Sequence, residues 1–386
     1  MSVEASTRAT AGHAVDLEAL LPALRRALRD EVVPRLGEMD ERQELPESVR
    51  RLFGRLGLFA LVVPTEHGGL GLGLGECCRV IEEIATVDAS CAVLAQAHAT
   101  ALRPLLLAGT EEQQRRYFGE VVERGALFAF CLTEPEAGSD ALALTTRAEA
   151  TGDGYRLSGR KRFITNGDLA DDYLVFARTA PGRGGLSVFV VERGAPGLSA
   201  GKRESKMGLR ASPTTDVLLD GVHVPASARI GAEGEGFSIL TRTLNASRPT
   251  IAAQAVGIAA GALGLARAYA LERRQFGRPI AEFQGLQFLL ADMATQIEAA
   301  RALTYRAAAL HDEGQPSPAL SAMAKLFASD AAMRVTTDAV QVLGGCGFLK
   351  EFGVERFMRD AKITQIYEGT NQVMRILVAR QLLGQR

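Results

Sequence analysis

The segment that decides the architecture is Arg147-Ala148-Glu149-Ala150-Thr151-Gly152-Asp153-Gly154-Tyr155-Arg156-Leu157-Ser158-Gly159-Arg160-Lys161-Arg162-Phe163-Ile164. Its two runs alternate along the chain, the period-two signature of strands that bury one face. Between them stands Gly152-Asp153-Gly154. Asp-Gly tolerates the positive φ of a tight turn, so the spacing predicts a β-hairpin. Residues 127–131, 173–177, 186–191 and 217–224 read as further strands, punctuated by Gly and Pro. On the N-terminal side the period changes. Leu17, Leu20, Leu21, Leu24 and Leu28 recur every three or four residues and fall on one helix face. Residues 80–87 and 93–107 read the same way. On the C-terminal side Ile251, Ala255, Ile258, Ala262, Ala266 and Tyr269 step helically, as do Leu320, Met323, Phe327, Ala331 and Val335. Ala-rich helices approach closely and build bundles. Pro249 is expected at a kink or in a first turn. Helix, then strand, then helix is not the βαβ alternation of a doubly wound fold. The expected class is α+β, mostly α, with a helical domain over 1–126, a middle β-domain over 127–233 and a helical bundle over 234–386. No internal repeat is present, and the first dozen residues are expected to be disordered.

Bulk properties exclude several classes. With 44 basic and 45 acidic residues the net charge is -1, so no global basic field draws nucleic acid or an anionic membrane. No run of about 18 uninterrupted apolar residues suggests a spanning helix. The N-terminus lacks the basic and apolar regions of a secretory signal, and five Cys without CxxC spacing fit a reducing compartment. The expected address is the cytoplasm. Gly69, Gly71, Gly73 and Gly75 imitate a dinucleotide loop, which needs a strand before it and a helix opening at its third Gly; the flanks do not convincingly offer these, and the run reads as a flexible connection between helices. The five His show no paired ligand spacing, so no metal site is expected. Ser139 and Ser158 lack the GxSxG context of a hydrolase.

Three segments stand apart: Leu132-Thr133-Glu134-Pro135-Glu136-Ala137-Gly138-Ser139-Asp140, Arg162-Phe163-Ile164-Thr165-Asn166-Gly167, and Ile366-Tyr367-Glu368-Gly369-Thr370-Asn371-Gln372. With Lys206-Met207-Gly208-Leu209-Arg210, Gly234-Glu235-Gly236-Phe237, Arg273-Arg274-Gln275-Phe276-Gly277 and Gln341-Val342-Leu343-Gly344-Gly345, they resemble the acyl-CoA dehydrogenase family, in its order and spacing, over residues 15–384.

The resemblance implies an N-terminal helical domain, a middle β-domain and a C-terminal four-helix bundle, with FAD between the β-domain and the bundle. It implies desaturation of an acyl thioester at Cα–Cβ. A base must take a weakly acidic Cα proton, and a carboxylate in an apolar pocket suits that task because desolvation raises its basicity. By resemblance Glu368 is that base, and its N–H contributes to an oxyanion hole. Tyr367 and Gly369 flank it on the substrate side; Gly369 permits close approach of substrate and flavin. Thr133 and Thr165 match positions that bond the isoalloxazine ring, and Phe163 packs nearby where many relatives carry Trp. Arg273, Gln275 and Phe276 match a segment that grips the flavin diphosphate and adenine of an adjacent subunit. Gln284, Gln341, Gly345, Thr370 and Gln372 fall on further flavin positions. Ser139 lies with the cofactor and near the coenzyme A diphosphate or pantetheine. Arg248 matches a substrate-channel Arg, although Asn245 stands where relatives often have Asp. Gln96 falls near the floor of the acyl pocket; beside His98 and Arg103 it hints at a short or polar acyl group.

The implied reaction is FAD-dependent α,β-dehydrogenation of a short- or medium-chain acyl-CoA, in fatty acid metabolism. The implied partners are an electron-transferring flavoprotein and copies of the same chain, usually four. Two alternatives share the fold: a dehydrogenase or oxidase of acyl-carrier-protein thioesters, which Asn245 keeps in play, and a DNA-binding flavoprotein, against which the balanced charge argues.

Overall fold

The computed structural model describes residues 16–385; the disorder expected for the first dozen residues lies outside that range. Asp16 opens the first helix, α1 (Leu17–Ala27), its carboxylate accepting from the N–H groups of Glu18 and Ala19 at 3.0 and 3.3 Å. The expected leucine stripe is buried from Leu17 to Leu28. Then follow α2 (Leu36–Arg42), α3 (Glu47–Arg55), α4 (Leu74–Ala85), α5 (Ala89–Ala108) and α6 (Glu111–Arg124). Contrary to expectation a helix does open at the third glycine, since Gly73 is the N-cap of α4 and Gly75 lies inside it, but among the described residues no strand precedes the run, which connects α3 to α4. A Cβ on Gly69 would stand 2.1 Å from the Val63 carbonyl oxygen. The N-terminus of α4 is filled by the chain itself: the Asp312 carboxylate accepts from Leu74 and Gly75 N–H at 2.6 and 2.8 Å.

The middle region is one sheet. Its strands are β1 (Phe128–Cys131), β2 (Arg147–Ala150), β3 (Gly154–Thr165), β4 (Asp172–Arg178), β5 (Leu186–Glu192), β6 (Leu198–Ala200), β7 (Thr214–Pro225) and β8 (Arg229–Ile230). Their order is β6-β7-β3-β2-β4-β5-β8, with β1 parallel to β4. The hairpin of β2 and β3 forms in antiparallel register, Ala150 opposite Tyr155. The reason expected for its turn does not hold. Neither Gly152 nor Asp153 takes a positive φ. Glycine is required instead at Gly154, where a Cβ would meet the Val224 carbonyl oxygen at 2.0 Å. The strict alternation also fails along β3, because the β3–β7 register slips between Leu157 and Gly159 and again between Lys161 and Ile164. Such bulges re-aim side chains, and Phe163, which lies in the second of them, is turned outward.

The C-terminal region holds three long helices, α7 (Gly236–Glu272), α8 (Gln284–Asp312) and α9 (Pro318–Leu343), with α10 (Val354–Thr364) and α11 (Asn371–Leu382) packed on α9. The fourth place of the implied four-helix bundle is thus shared by two short helices joined by the loop that carries Glu368. A small hairpin, β9 (Arg274–Gln275) with β10 (Arg278–Pro279), links α7 to α8. Pro249 lies inside α7, not in its first turn. On α9 half of the buried residues are alanine, and Phe327 is exposed. Two helices, Ala89–Ala108 and Gly236–Glu272, are long and apolar enough on average to cross a membrane, although polar residues interrupt both. Both are core helices, 72% buried over the relevant window.

Candidate active site

The site assembles from four elements around Glu368. The carboxylate sits in the loop between α10 and α11, where Glu368 and Gly369 both hold left-handed backbone, φ 52° and 100°. For glutamate this conformation is uncommon and has to be imposed by its surroundings. α5 supplies Gln96, whose Nε2 donates to Glu368 Oε1 at 2.8 Å and also lies 3.1 Å from Thr100 Oγ1 and 3.4 Å from Thr250 Oγ1. α7 supplies Ser247, whose hydroxyl donates to Glu368 Oε2. It also supplies Arg248, buried beside the carboxylate, with its Nη1 donating to Asn245 Oδ1 at 2.9 Å. α9 supplies Lys325, fully buried, whose Nζ donates to the Gly369 carbonyl at 2.8 Å and to Asn371 Oδ1 at 3.0 Å. Tyr367 points its hydroxyl to Gln254, which in turn donates to the Ala89 carbonyl at 3.1 Å.

Burial raises the Glu368 carboxyl above its ordinary range, and it outweighs the Ser247 and Gln96 hydrogen bonds and the two nearby cations, all of which lower it. Desolvation likewise pulls Arg248 down and pushes the Tyr367 hydroxyl up. A carboxylate of raised basicity, aimed by two neutral donors, is a chemically competent proton acceptor.

Thr133, Phe163 and Thr165 come together on the β-domain. The Arg162 N–H donates to the Thr133 carbonyl at 2.7 Å, which joins the end of β1 to the bulge of β3. Phe163 is 55% exposed with φ 57°, its ring under the Arg162 guanidinium at 4.8 Å. Thr165 closes β3 opposite Thr214. Ser139 lies on the exposed turn between β1 and β2. Thr370 is the N-cap of α11, accepting from Val373 N–H at 3.3 Å, and Gln372 is exposed in the first turn.

The other implied flavin residues stand apart. Arg273, Gln275, Phe276 and Gln284 lie at the far end of α7 and the start of α8, all exposed, Phe276 at 93%. Gln341 and Gly345 share that end of the bundle, since Tyr269 of α7 meets Phe352, just beyond them, with ring centroids 6.2 Å apart. Arg273 is 25 residues beyond Arg248 on α7, or about 37 Å at 1.5 Å rise per residue. Arg273 thus lies far along the bundle from Arg248 and the Glu368 carboxylate beside it. His98 leaves the acyl pocket altogether. It is a core histidine between the Phe59 carbonyl (2.8 Å) and the Phe128 N–H (2.9 Å), and burial pushes it down to about 4. Arg103 faces Cys77, His311 and Asp312 rather than Glu368.

Sequence reading missed Ser247, Thr250, Lys325 and Asn371. It also missed Glu134 with Lys161, a pair buried to within 4% of full at 2.8 Å. One signal was present: Lys325 interrupts a helical stripe of small residues, Ser321, Ala328 and Ala332.

The residues fit a flavin. Beside Thr165, the side-chain amide of buried Asn166 and the Nε of Arg162 have no hydrogen-bond partner among the described residues. Thr133 and Thr165 are half-buried, and Phe163 offers an aromatic face. A planar ring with polar edges would satisfy such a wall.

This fold and site define a flavin-dependent acyl thioester dehydrogenase class. The chain belongs to the acyl-CoA dehydrogenase family. It matches the profiles for the N-terminal domain over residues 15–124, the middle domain over 129–222 and the C-terminal domain over 234–383. It is 48% identical to a cyclohex-1-ene-1-carbonyl-CoA dehydrogenase of Geobacter metallireducens, over 94% of this chain and 97% of that one. Butyryl-CoA dehydrogenase from Megasphaera elsdenii superposes with a TM-score of 0.92 at 42% identity, over 96% of this chain and 99% of that one. A structure described as the electron transferring flavoprotein of Acidaminococcus fermentans includes a chain with TM-score 0.93 and 44% identity, over 98% and 100%. The protein is an FAD-dependent oxidoreductase acting on CH–CH bonds.

Proposed function

We propose that this enzyme oxidises a short- or medium-chain acyl-CoA to the 2-enoyl thioester, with Glu368 as the base. The observation that carries the reading is the Glu368 carboxylate, enclosed, raised in basicity and held by Gln96 and Ser247. An entering acyl group exchanges these hydrogen bonds for contact with Cα, and Glu368 then accepts the Cα proton. The Glu368 N–H donates to no group among the described residues, which leaves it to polarise the thioester carbonyl. Bound FAD supplies the hydride acceptor for Cβ. Thr133, Phe163 and Thr165 hold its ring, and Arg273, Gln275, Phe276, Gln284, Gln341 and Gly345 serve the flavin of a neighbouring copy in a homotetramer. Electron-transferring flavoprotein is the acceptor, fatty acid metabolism the setting and the cytoplasm the location. The polar floor of Gln96, Thr100 and Thr250 favours a compact acyl group, and the cyclohexene-carbonyl relative makes a cyclic acyl-CoA a member of the class worth including.

The test is anaerobic flavin bleaching with straight-chain and cyclohexane-carbonyl CoA thioesters and the same acyl groups on a carrier protein. The fastest reduction is expected from a CoA thioester of short or medium length. Preference for the carrier-loaded form would move the assignment to the carrier-linked alternative, which Asn245 in place of an acidic residue favours. Glu368→Gln keeps shape but cannot accept the proton, so substrate reduction of its flavin should fall by about 10²–10⁴-fold while dithionite still bleaches it. Wild-type reduction in that variant would place the base elsewhere.

A further inference from the structure

We propose that Lys325 is a positioning residue, which fixes the Glu368 loop from behind and sets a positive charge against the catalytic carboxylate. The proposal rests on the reading of Glu368 as the base. Lys325 is fully buried in mid α9, in line with the small residues Ser321, Ala328 and Ala332. Its Nζ reaches 44 residues along the chain to the Gly369 carbonyl and 46 to Asn371 Oδ1. These acceptors lie one and three residues after the base. The next turn of α9 completes the bracket: Asn371 Nδ2 donates to Ser329 Oγ at 2.9 Å and to Asp330 Oδ1 at 2.7 Å. One helix face therefore holds a loop whose backbone is left-handed at both Glu368 and Gly369, a conformation that persists only where the surroundings over-determine it.

The charge is harder to explain by support alone. A buried ammonium normally pairs with a carboxylate, yet both direct partners of Lys325 are neutral. The ionised groups that face it are Glu368 from the loop, Arg248 from α7 and Asp330 from α9 itself. Asp330 is engaged by Asn371, Gln365 and Arg375, so the remaining anion that faces Lys325 is Glu368, whose direct hydrogen-bond donors, Gln96 and Ser247, are neutral. Burial pulls the Lys325 ammonium down to about 7, opposed by Glu368. Its charge is thus present below about pH 7 and fades above it. While present, it lowers the proton affinity of Glu368, so the base is ionised at lower pH than burial alone would allow.

The experiment compares Lys325→Met, Lys325→Arg, Glu368→Gln and wild type as holoenzymes, by the pH dependence of anaerobic flavin reduction with one acyl-CoA. FAD content and melting temperature are recorded in parallel. In Lys325→Met the acid limb of the profile should move up by roughly one pH unit, the usual scale for removing a nearby opposite charge. The limiting rate should fall while KM stays near wild type. Lys325→Arg keeps a permanent charge, so it should return the acid limb toward the wild-type position and remove the break near pH 7. If Lys325→Met does not fold, Lys325→Gln carries the same comparison, since it keeps one donor for the Gly369 carbonyl without charge. An acid limb that coincides with wild type in the uncharged variant would overturn the proposal and leave Lys325 a purely structural residue. Unimpaired reduction in Glu368→Gln would instead overturn the assignment of the base.

Discussion

Glu134 sits inside a motif that suggests chemistry, and its surroundings give it a different task. Its carboxylate accepts from Thr145 N–H and Oγ1 at 2.6 and 2.9 Å, from Thr146 N–H at 2.9 Å and from Lys161 Nζ at 2.8 Å, while Lys161 also donates to the Leu132 carbonyl. Burial alone would raise Glu134, but Lys161 and the backbone donors more than offset it and hold the carboxyl down to about 2. Burial lowers Lys161 as well; the ion pair is the state consistent with four donors converging on one carboxylate. Because the folded value lies below the ordinary 4.5, this contribution to stability is complete above about pH 4.5 and is lost as pH falls toward 2. Glu134→Gln leaves a buried lysine without its countercharge, so unfolding free energy should drop by about 3–5 kcal/mol, read from urea midpoints at pH 7. The pair braces Leu132 and Arg162 on either side of Thr133 and Phe163, so FAD retention should fall with it. Unchanged stability would show that Lys161 sheds its proton instead. Glu134 illustrates what a linear reading cannot weigh: it lies one residue from Thr133, and only the hairpin that returns Lys161 beside it distinguishes a brace from a ligand.

At the scale of elements, periodicity was legible where an element buries one face and unclear where the chain bends. The leucines of α1 and the strands β1, β4, β5 and β7 stand where their patterns put them, because burial of alternate or every third and fourth residue leaves a direct trace in composition. The bulges of β3 leave none: they depend on pairing with β7, some 60 residues on, and they are what presents Phe163. The α9 stripe holds in part: Ala331 and Val335 are buried and Leu320 packs against the core, whereas Phe327 is exposed. Arg248 and Gln96 were found by resemblance, whereas Ser247 and Asn371 were not, small polar residues being common on any helix. The start of α4 offers a test of an inter-element contact. Asp312 at the end of α8 caps α4 through Leu74 and Gly75, where a negative charge also meets the helix dipole. Asp312→Ala should cost about 1 kcal/mol, the usual value of a lost N-cap, with flavin content unchanged. A neutral result would mean that water replaces the carboxylate at no cost.

For the whole molecule the question is what the remote flavin residues do. Six of them lie at the end of the bundle away from Glu368, and the apolar side chains around them are exposed: Leu271, Phe276, Phe288, Phe348 and Leu349. The hairpin tip holds Phe276 at φ 51° with almost no cover among the described residues. Exposed apolar surface of this kind marks an association face, and a second copy of the chain is the partner that would gain Arg273 as a phosphate ligand. Arg273 makes no side-chain ion pair among the described residues, so its removal should leave the folded chain nearly as stable as before, within about 0.5 kcal/mol. Arg273→Ala is therefore expected to purify with less FAD, at unchanged melting temperature of the flavin-free protein, and to regain flavin only at higher FAD concentration. Light scattering should give a homotetramer for the wild type, and dilution that dissociates it should release flavin in step with subunit loss. A monomer that keeps its FAD on dilution, or an Arg273→Ala protein of full flavin content, would detach the bundle end from the cofactor and leave its aromatic arm without this role.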